Sequence, residues 1–462
     1  MKKKQREDIL QHSHESAYIL PKEKAVAEKT EWFRDQKLGL IVHFGIYSQL
    51  GMCESWPLSD GDADWARKGY DWEPDSTAFR RQYFNLNKSF NPLRFNADEW
   101  AAQAQDAGMR YLIFTTKHHD GFCLYDTHET AYKVTSPDCP FHINKNADIT
   151  KMLFDAFRAR GLGIAAYFSK PDWNCPWYWA PDCERPVAFS RNPTYNVEEK
   201  PELWESYVHF THKQMMELVT KYGPLDTLWL DGGQVCPENG QDIRMGEFAE
   251  KARKVTPGLL IADRTVGGEF ENYLTPEQTI PNHYMPVPWE SCVTIGNGFA
   301  YSYEDTYKSP RALVKILLEV VAKGGNLALG IGAQGDGRLP KGAIQSARGL
   351  GQWLKKNGRA IYHTRGCAPY VLGQWAGKRG VSLGFTKNED SVFVLRPVAE
   401  GDTLQKPLVF PWENPIQEIM LVETAQALPF TQNEGVVSVS LPEAFIKGHP
   451  YAVALEMKEG SK

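Results

Sequence analysis

Arg110-Tyr111-Leu112-Ile113-Phe114-Thr115-Thr116 runs without a break into Lys117-His118-His119-Asp120-Gly121-Phe122. The first part is short and nearly continuously apolar. That suits a parallel strand covered on both faces, because a half-exposed strand would alternate apolar and polar residues. The second part is a burst of titratable groups closed by a glycine. In a parallel α/β barrel the reactive groups gather at the C-terminal ends of the strands. The junction therefore reads as a barrel strand delivering chemistry to a rim.

The same kind of run recurs on either side, at Gly39–His43, Gly163–Ser169, Asp226–Asp231, Gly258–Asp263, Glu290–Ile295 and Asn326–Ile331. The segments between them carry helix signals. Asn96 precedes Ala97–Ala107 as an N-cap, with Gly108 beyond. Asp148 precedes a helix that puts Leu153, Phe154 and Phe157 on one face and ends at Gly161. Ser309 and Pro310 open another that Gly324 ends. Strand–helix repetition over about 330 residues predicts an α/β fold with a (β/α)8-like barrel. A doubly wound sheet is the second choice, but no G-x-G-x-x-G follows the first strand. After about Arg365 the helical periodicity stops. Short runs at Ser391–Arg396, Pro407–Phe410, Gln417–Val422, Val436–Leu441 and Tyr451–Glu456 predict a C-terminal antiparallel β-sandwich. The expected division is a lead-in over 1–30, a catalytic barrel over 31–364 and a sandwich over 365–462.

The length of 462 residues suffices for two cores. A net charge of -5 argues against a nucleic-acid binder, which would show a basic face; Lys2-Lys3-Lys4 reads as a solvated tail. No apolar run is long enough to span a membrane. Gln5 to Glu15 is polar, so no signal-type segment follows Met1. This predicts a cytoplasmic protein if the N-terminus is native, and a periplasmic or secreted one if a signal was removed. The eight cysteines are scattered without a C-x-x-C pair, which argues against a zinc knuckle or a disulfide scaffold. The 14 Trp and 20 Tyr suit stacking on sugar faces, but composition alone favours the plainer reading of a large core with inter-domain packing.

The strand ends supply a consistent set: His43; His118 and His119; Tyr167 with Asp172 and Trp173 beyond; Trp229 and Asp231; Asp263 and Arg264; Trp289 and Glu290. Two carboxylates flanking a sugar suit glycoside hydrolysis, one ionised and attacking, one protonated and donating. Asp231 is the natural nucleophile, since Gly232 and Gly233 let a substrate approach closely. The plainer reading is an Asp that caps a turn. His118 and His119 admit three readings: metal ligands with His43 or Asp231 as a third, a buried structural pair, or neutral imidazoles bonding sugar hydroxyls. Arg264 admits two: an ion pair with Asp263, or a cation that holds substrate and keeps Asp231 ionised.

Taken together, Gly39–Ser48, Thr115–Phe122, Leu228–Gly232 and Gly324–Leu327 resemble the α-L-fucosidases of glycoside hydrolase family 29, in the right order from about Trp32 to Tyr362. The resemblance implies a (β/α)8-like domain followed by a β-sandwich, and retaining hydrolysis of terminal α-L-fucose from oligosaccharides or glycoconjugates without metal or cofactor. It implies a sugar pocket of His43, Glu54, Trp56, His118, His119, Tyr167, Trp229, Arg264 and Phe299, with Asp231 as nucleophile. The family's acid/base is its least uniform residue. Glu290 in P-W-E-S-C matches one position and Glu277 in T-P-E-Q another. An apolar setting raises a carboxyl pKa, which favours Glu290. Phe44 and Phe299 stand where many members have Trp, and Gly330 and Ala333 replace a more usual Asn and Pro. Rival readings are a same-fold glycosidase acting on a related sugar such as L-galactose, a non-catalytic carbohydrate-binding homologue, and a metal-dependent hydrolase.

Overall fold

The computed structural model describes residues 13–59, 64–67, 72–183, 191–367, 383–398, 400–401, 404 and 407–460. The lysine tail lies outside these residues, as do the first residues of the polar lead-in. Seven parallel strands form the central sheet: β1 (Leu38–His43), β2 (Tyr111–Lys117), β3 (Gly163–Ser169), β4 (Thr227–Asp231), β5 (Leu260–Asp263), β6 (Glu290–Thr294) and β7 (Asn326–Gly332), in the order β5-β4-β3-β2-β1-β7-β6. Every residue of β1, β2, β3 and β7 is buried, which is why these runs do not alternate.

The slot between β5 and β6 is filled without a regular strand. Residues 270–278 cross it. On the β5 side the Asp263 amide donates to Phe270 O and the Asn272 amide to Ile261 O. On the β6 side Glu290 N bonds Leu274 O, Cys292 N bonds Pro276 O, and Gln278 N bonds Cys292 O. Pro276 has no N–H to give a ladder, so a continuous central strand is excluded here. The wall closes all the same, and Thr275 and Glu277 ride on it.

The helix ends follow the sequence signals. The side chains of Asn96, Asp148 and Ser309 accept from the amides of Glu99, Lys151 and Ala312. The lead-in is more ordered than its polarity suggests. Helix Lys24–Gln36 begins in it and runs on past residue 30, and its Phe33 stacks on Tyr273 with ring centroids 4.1 Å apart and tilts against Tyr111, plugging the barrel floor. The C-terminal part forms a six-stranded and a three-stranded antiparallel sheet. They share an apolar core that includes Phe385, Phe410, Trp412 and Leu455. Strands Gly384–Lys387 and Phe430–Asn433, which the sequence pattern did not single out, complete these sheets. Among the described residues no helix is long and apolar enough to cross a membrane.

Candidate active site

Asp231 is the last residue of β4, on the barrel rim. Its Oδ1 accepts from Arg264 Nη1 at 2.6 Å and its Oδ2 from the Tyr167 hydroxyl at 2.6 Å. His119 Nε2 stands 3.7 Å from Oδ2. Burial alone would raise this carboxyl. Arg264, then His119, then the Tyr167 bond outweigh it and hold Asp231 well below the usual carboxylate range.

Arg264 follows β5 and is itself buried. Its Nη2 donates to Glu277 Oε2 at 2.6 Å and its Nε to Thr275 Oγ1 at 3.1 Å. The guanidinium carbon lies 4.2 Å from the centroid of the Trp229 ring. Asp263 pairs instead with Lys170 Nζ at 2.5 Å. The two readings of Arg264 therefore separate. It is not the partner of its neighbour; it is a cation clamped between Asp231 and Glu277.

The histidines gather beside them. His43 closes β1, and its ring centroid is 5.0 Å from that of Phe299 and 5.5 Å from that of Tyr167. His118 Nδ1 meets Ser55 Oγ at 2.5 Å. Trp56 packs edge-on against His119, with centroids 5.2 Å apart. Burial pushes His43 down to about 3, His119 to about 4 and His118 well below its ordinary value. All three imidazoles are neutral at ordinary pH. His119 has both ring nitrogens, and His43 its Nδ1, buried without a hydrogen-bond partner among the described residues. Buried polar atoms without partners are uncommon, and here they face a site that a polyhydroxylated ligand would satisfy.

Glu54 belongs to the same group. It is buried, with Oε1 unpartnered, and its backbone is left-handed at φ 49°. Burial pushes its carboxyl up to about 8, against a hydrogen bond with the Ala300 backbone. It can therefore donate a hydrogen bond at neutral pH. Asp120 takes no part. Its oxygens accept from Tyr83 and from the Phe122 amide.

Ligand atoms of His118, His119 and Asp231 lie within 4.8 Å of one another, so the metal reading has a geometric basis. Both oxygens of Asp231 are already engaged by Arg264 and Tyr167, and His118 Nδ1 by Ser55. A dication would also meet the guanidinium. The set fits a sugar better than an ion.

The expectation that Glu290 stands on the rim with Asp231 is corrected. Glu290 opens β6 rather than ending it, paired with Asn326 at the start of β7. Its carboxyl is fully buried and accepts from the Tyr111 hydroxyl at 2.5 Å and Trp229 Nε1 at 3.1 Å. Tyr111 begins β2, so this is the barrel floor. The Trp229 ring separates the two levels. Arg264 and Tyr167 pack on its faces, while its N–H points to Glu290.

Two departures from the family pattern find a place. Phe44 packs between Phe90 and Trp100, in the core rather than the pocket. A Cβ at Gly330 would lie 2.9 Å from Phe299 Cδ1, so this glycine makes room for the phenyl ring beside His43. Nothing in the structure explains Ala333. Ser55 and Thr275 were not singled out from sequence. Ser55 stands inside the C-E-S-W motif, which was the available signal.

The α-L-fucosidase family model matches residues 7–359. The chain is 30% identical over 346 residues to the plasma α-L-fucosidase of Rattus norvegicus, covering 72% of this chain and 70% of that one. It is 28% identical over 349 residues to an α-L-fucosidase of Dictyostelium discoideum, covering 72% and 71%. Among solved structures, α-L-fucosidase isoenzyme 1 from Paenibacillus thiaminolyticus superposes with a TM-score of 0.76 at 26% identity, covering 95% of this chain and 100% of that one. The Thermotoga maritima α-fucosidase in complex with fucose gives 0.71 at 26% identity, covering 92% and 96%. With its barrel, its rim carboxylates and a match spanning most of its length, the chain belongs to the α-L-fucosidase family.

Proposed function

We propose that the protein is an exo-acting α-L-fucosidase that works by retaining double displacement, with Asp231 as nucleophile and Glu277, not Glu290, as acid/base. The observation that carries this is the shared guanidinium: Arg264 bonds both carboxylates, which brings Glu277, and not Glu290, beside Asp231. In the first step an oxygen of Asp231 attacks the anomeric carbon. The bond to the leaving oxygen breaks as Glu277 delivers its proton. In the second step Glu277 takes a proton from water, which attacks the same carbon and frees Asp231. Neutral His43, His118 and His119 bond the hydroxyls, Glu54 donates or accepts as the sugar requires, and Phe299 offers an apolar surface to the C6 methyl. No metal enters these steps.

The test is turnover of aryl α-L-fucoside beside a panel of other aryl glycosides. Asp231→Asn should lose several orders of magnitude in rate with its fold intact. Glu277→Ala should keep the first step on substrates with good leaving groups, deglycosylate slowly, and yield β-fucosyl azide when azide is added. Near-normal turnover by folded Asp231→Asn, or azide rescue seen in Glu290→Ala and not in Glu277→Ala, would overturn the reading.

A further inference from the structure

Arg264 leaves β5 through a distorted turn. Thr265, the next residue, has φ 62°. A β-branched side chain is a true outlier in that region, and such a conformation lasts only where its surroundings impose it. The Thr265 side chain is also wedged against the nucleophile loop. A Cβ on Gly233 would lie 1.8 Å from Thr265 Oγ1. The turn that sets the direction of Arg264 thus interlocks with the segment that follows Asp231.

A carboxylate sits inside the turn. Glu271 is buried, and its Oε1 accepts from the Thr265 amide at 3.2 Å. Its Oε2 accepts from the Gly267 amide at 2.7 Å and from Ser13 Oγ at 2.6 Å. Ser13 is buried too, and comes from the N-terminal segment. That segment runs on beside the loop, where the Gly268 amide donates to Ala17 O. Glu271 lies on the same irregular wall that carries Glu277.

We infer that Glu271 is a positioning residue for the reaction. It holds the left-handed turn at Thr265 so that Arg264 is aimed at Asp231 and Glu277, and it ties the N-terminal segment to that aim through Ser13. The inference rests on the proposed roles of Asp231 and Arg264. Glu271 touches no substrate and acts only through the arginine. If the clamp is loosened, Arg264 moves off Asp231, and Asp231 then holds a proton at higher pH. The groups facing Asp231 are Arg264, Tyr167, His43, His118, His119, Glu54 and Cys292. Arg264 is the largest of the charges that hold Asp231 down, ahead of His119, so its aim matters most.

The experiment compares Glu271→Gln and Ser13→Ala with the wild type, reading kcat and KM for aryl α-L-fucoside beside thermal melts. A glutamine has one acceptor oxygen, so it cannot hold both loop amides and the serine. Glu271→Gln should lower kcat on the order of 10–100-fold, the effect of a small misplacement at a catalytic centre. KM should change little, because the arginine acts on the reacting carboxylate rather than on sugar binding. Ser13→Ala should show the same split, smaller. A merely structural role would lower the melting temperature and leave kcat in place below the melt. Folded Glu271→Gln with unchanged kcat overturns the inference. Should Glu271→Gln fail to fold, unchanged kcat in Ser13→Ala does so. If the wild type turns over no fucoside, or Asp231→Asn matches it, the underlying functional reading fails instead.

Discussion

Replacing Glu290 distinguishes a floor residue from a proton donor. Its carboxyl holds two buried donors, the Tyr111 hydroxyl and the Trp229 N–H. Glu290→Ala strands both, at about 1–3 kcal/mol each, and adds a cavity. The expected loss is about 3–6 kcal/mol. Glu290→Gln keeps the shape. Its amide oxygen accepts from Trp229, and its NH2 donates to Tyr111, whose hydroxyl serves either way. Burial pushes Glu290 up to about 7, opposed by the bonds from Tyr111 and Trp229. The folded state therefore binds this proton more tightly than the unfolded state. Its contribution is full below the unfolded value of 4.5 and is lost as pH rises through about 7. Glutamine has no such proton. The stability of Glu290→Gln should gain on the wild type by up to about 3 kcal/mol between those limits. The assay is thermal or urea unfolding of both proteins at pH 4.5, 6 and 8, with kcat/KM and azide trapping on the same samples. Slow deglycosylation with azide rescue in folded Glu290→Gln, or a stability gap that does not change with pH, would refute this account.

Three other outcomes are expected. Tyr167→Phe removes a 2.6 Å bond to the Asp231 carboxylate; bonds to charged groups are worth about 1.5–3 kcal/mol, so kcat/KM should fall on the order of 10–100-fold with the fold intact, and unchanged kcat/KM would count against the proposed role of Asp231. Lys37 is fully buried, its ammonium unpartnered among the described residues, and burial pushes it down to about 7. The unfolded state then binds more protons between about 7 and 10.5, so stability should rise with pH across that window; Lys37→Met should remove the slope and be more stable near pH 7 by about 1–3 kcal/mol, as urea unfolding would report. Activity should be indifferent to EDTA, and loss restored by zinc would revive the His118–His119–Asp231 metal reading.

The barrel was legible because burial on both faces leaves an apolar run with nothing to interrupt it. β3 falls on the very residues the pattern marks. The caps were legible because Asn96, Asp148 and Ser309 each do a local job, three residues from the amide they satisfy. The place of Glu290 was not. Trp289 and the apolar run around Glu290 signal burial, but that run follows Glu290, which puts the glutamate at the start of its strand. A strand start faces the floor. Glu277 reads as a loop residue beside Pro276, and only the folded wall, where it bridges to Cys292, brings it to Arg264. The Ser55–His118 and Ser13–Glu271 contacts join residues 63 and 258 positions apart, with no periodicity to betray them.

The irregular wall at 270–278 bears on how such an enzyme changes over evolutionary time. Asp231 is inherited through strand register, where a slip of one residue would turn the whole strand inside out. Glu277 is inherited through an irregular stretch whose pairing is broken at Pro276. Irregular stretches tolerate changes of length better than regular strands do. A lineage can therefore reshape this wall and move the carboxylate it carries, while Asp231, at the end of the fourth strand, stays where it was. Descendants of one ancestor would then agree on the strand-end carboxylate and differ on the one the wall supplies.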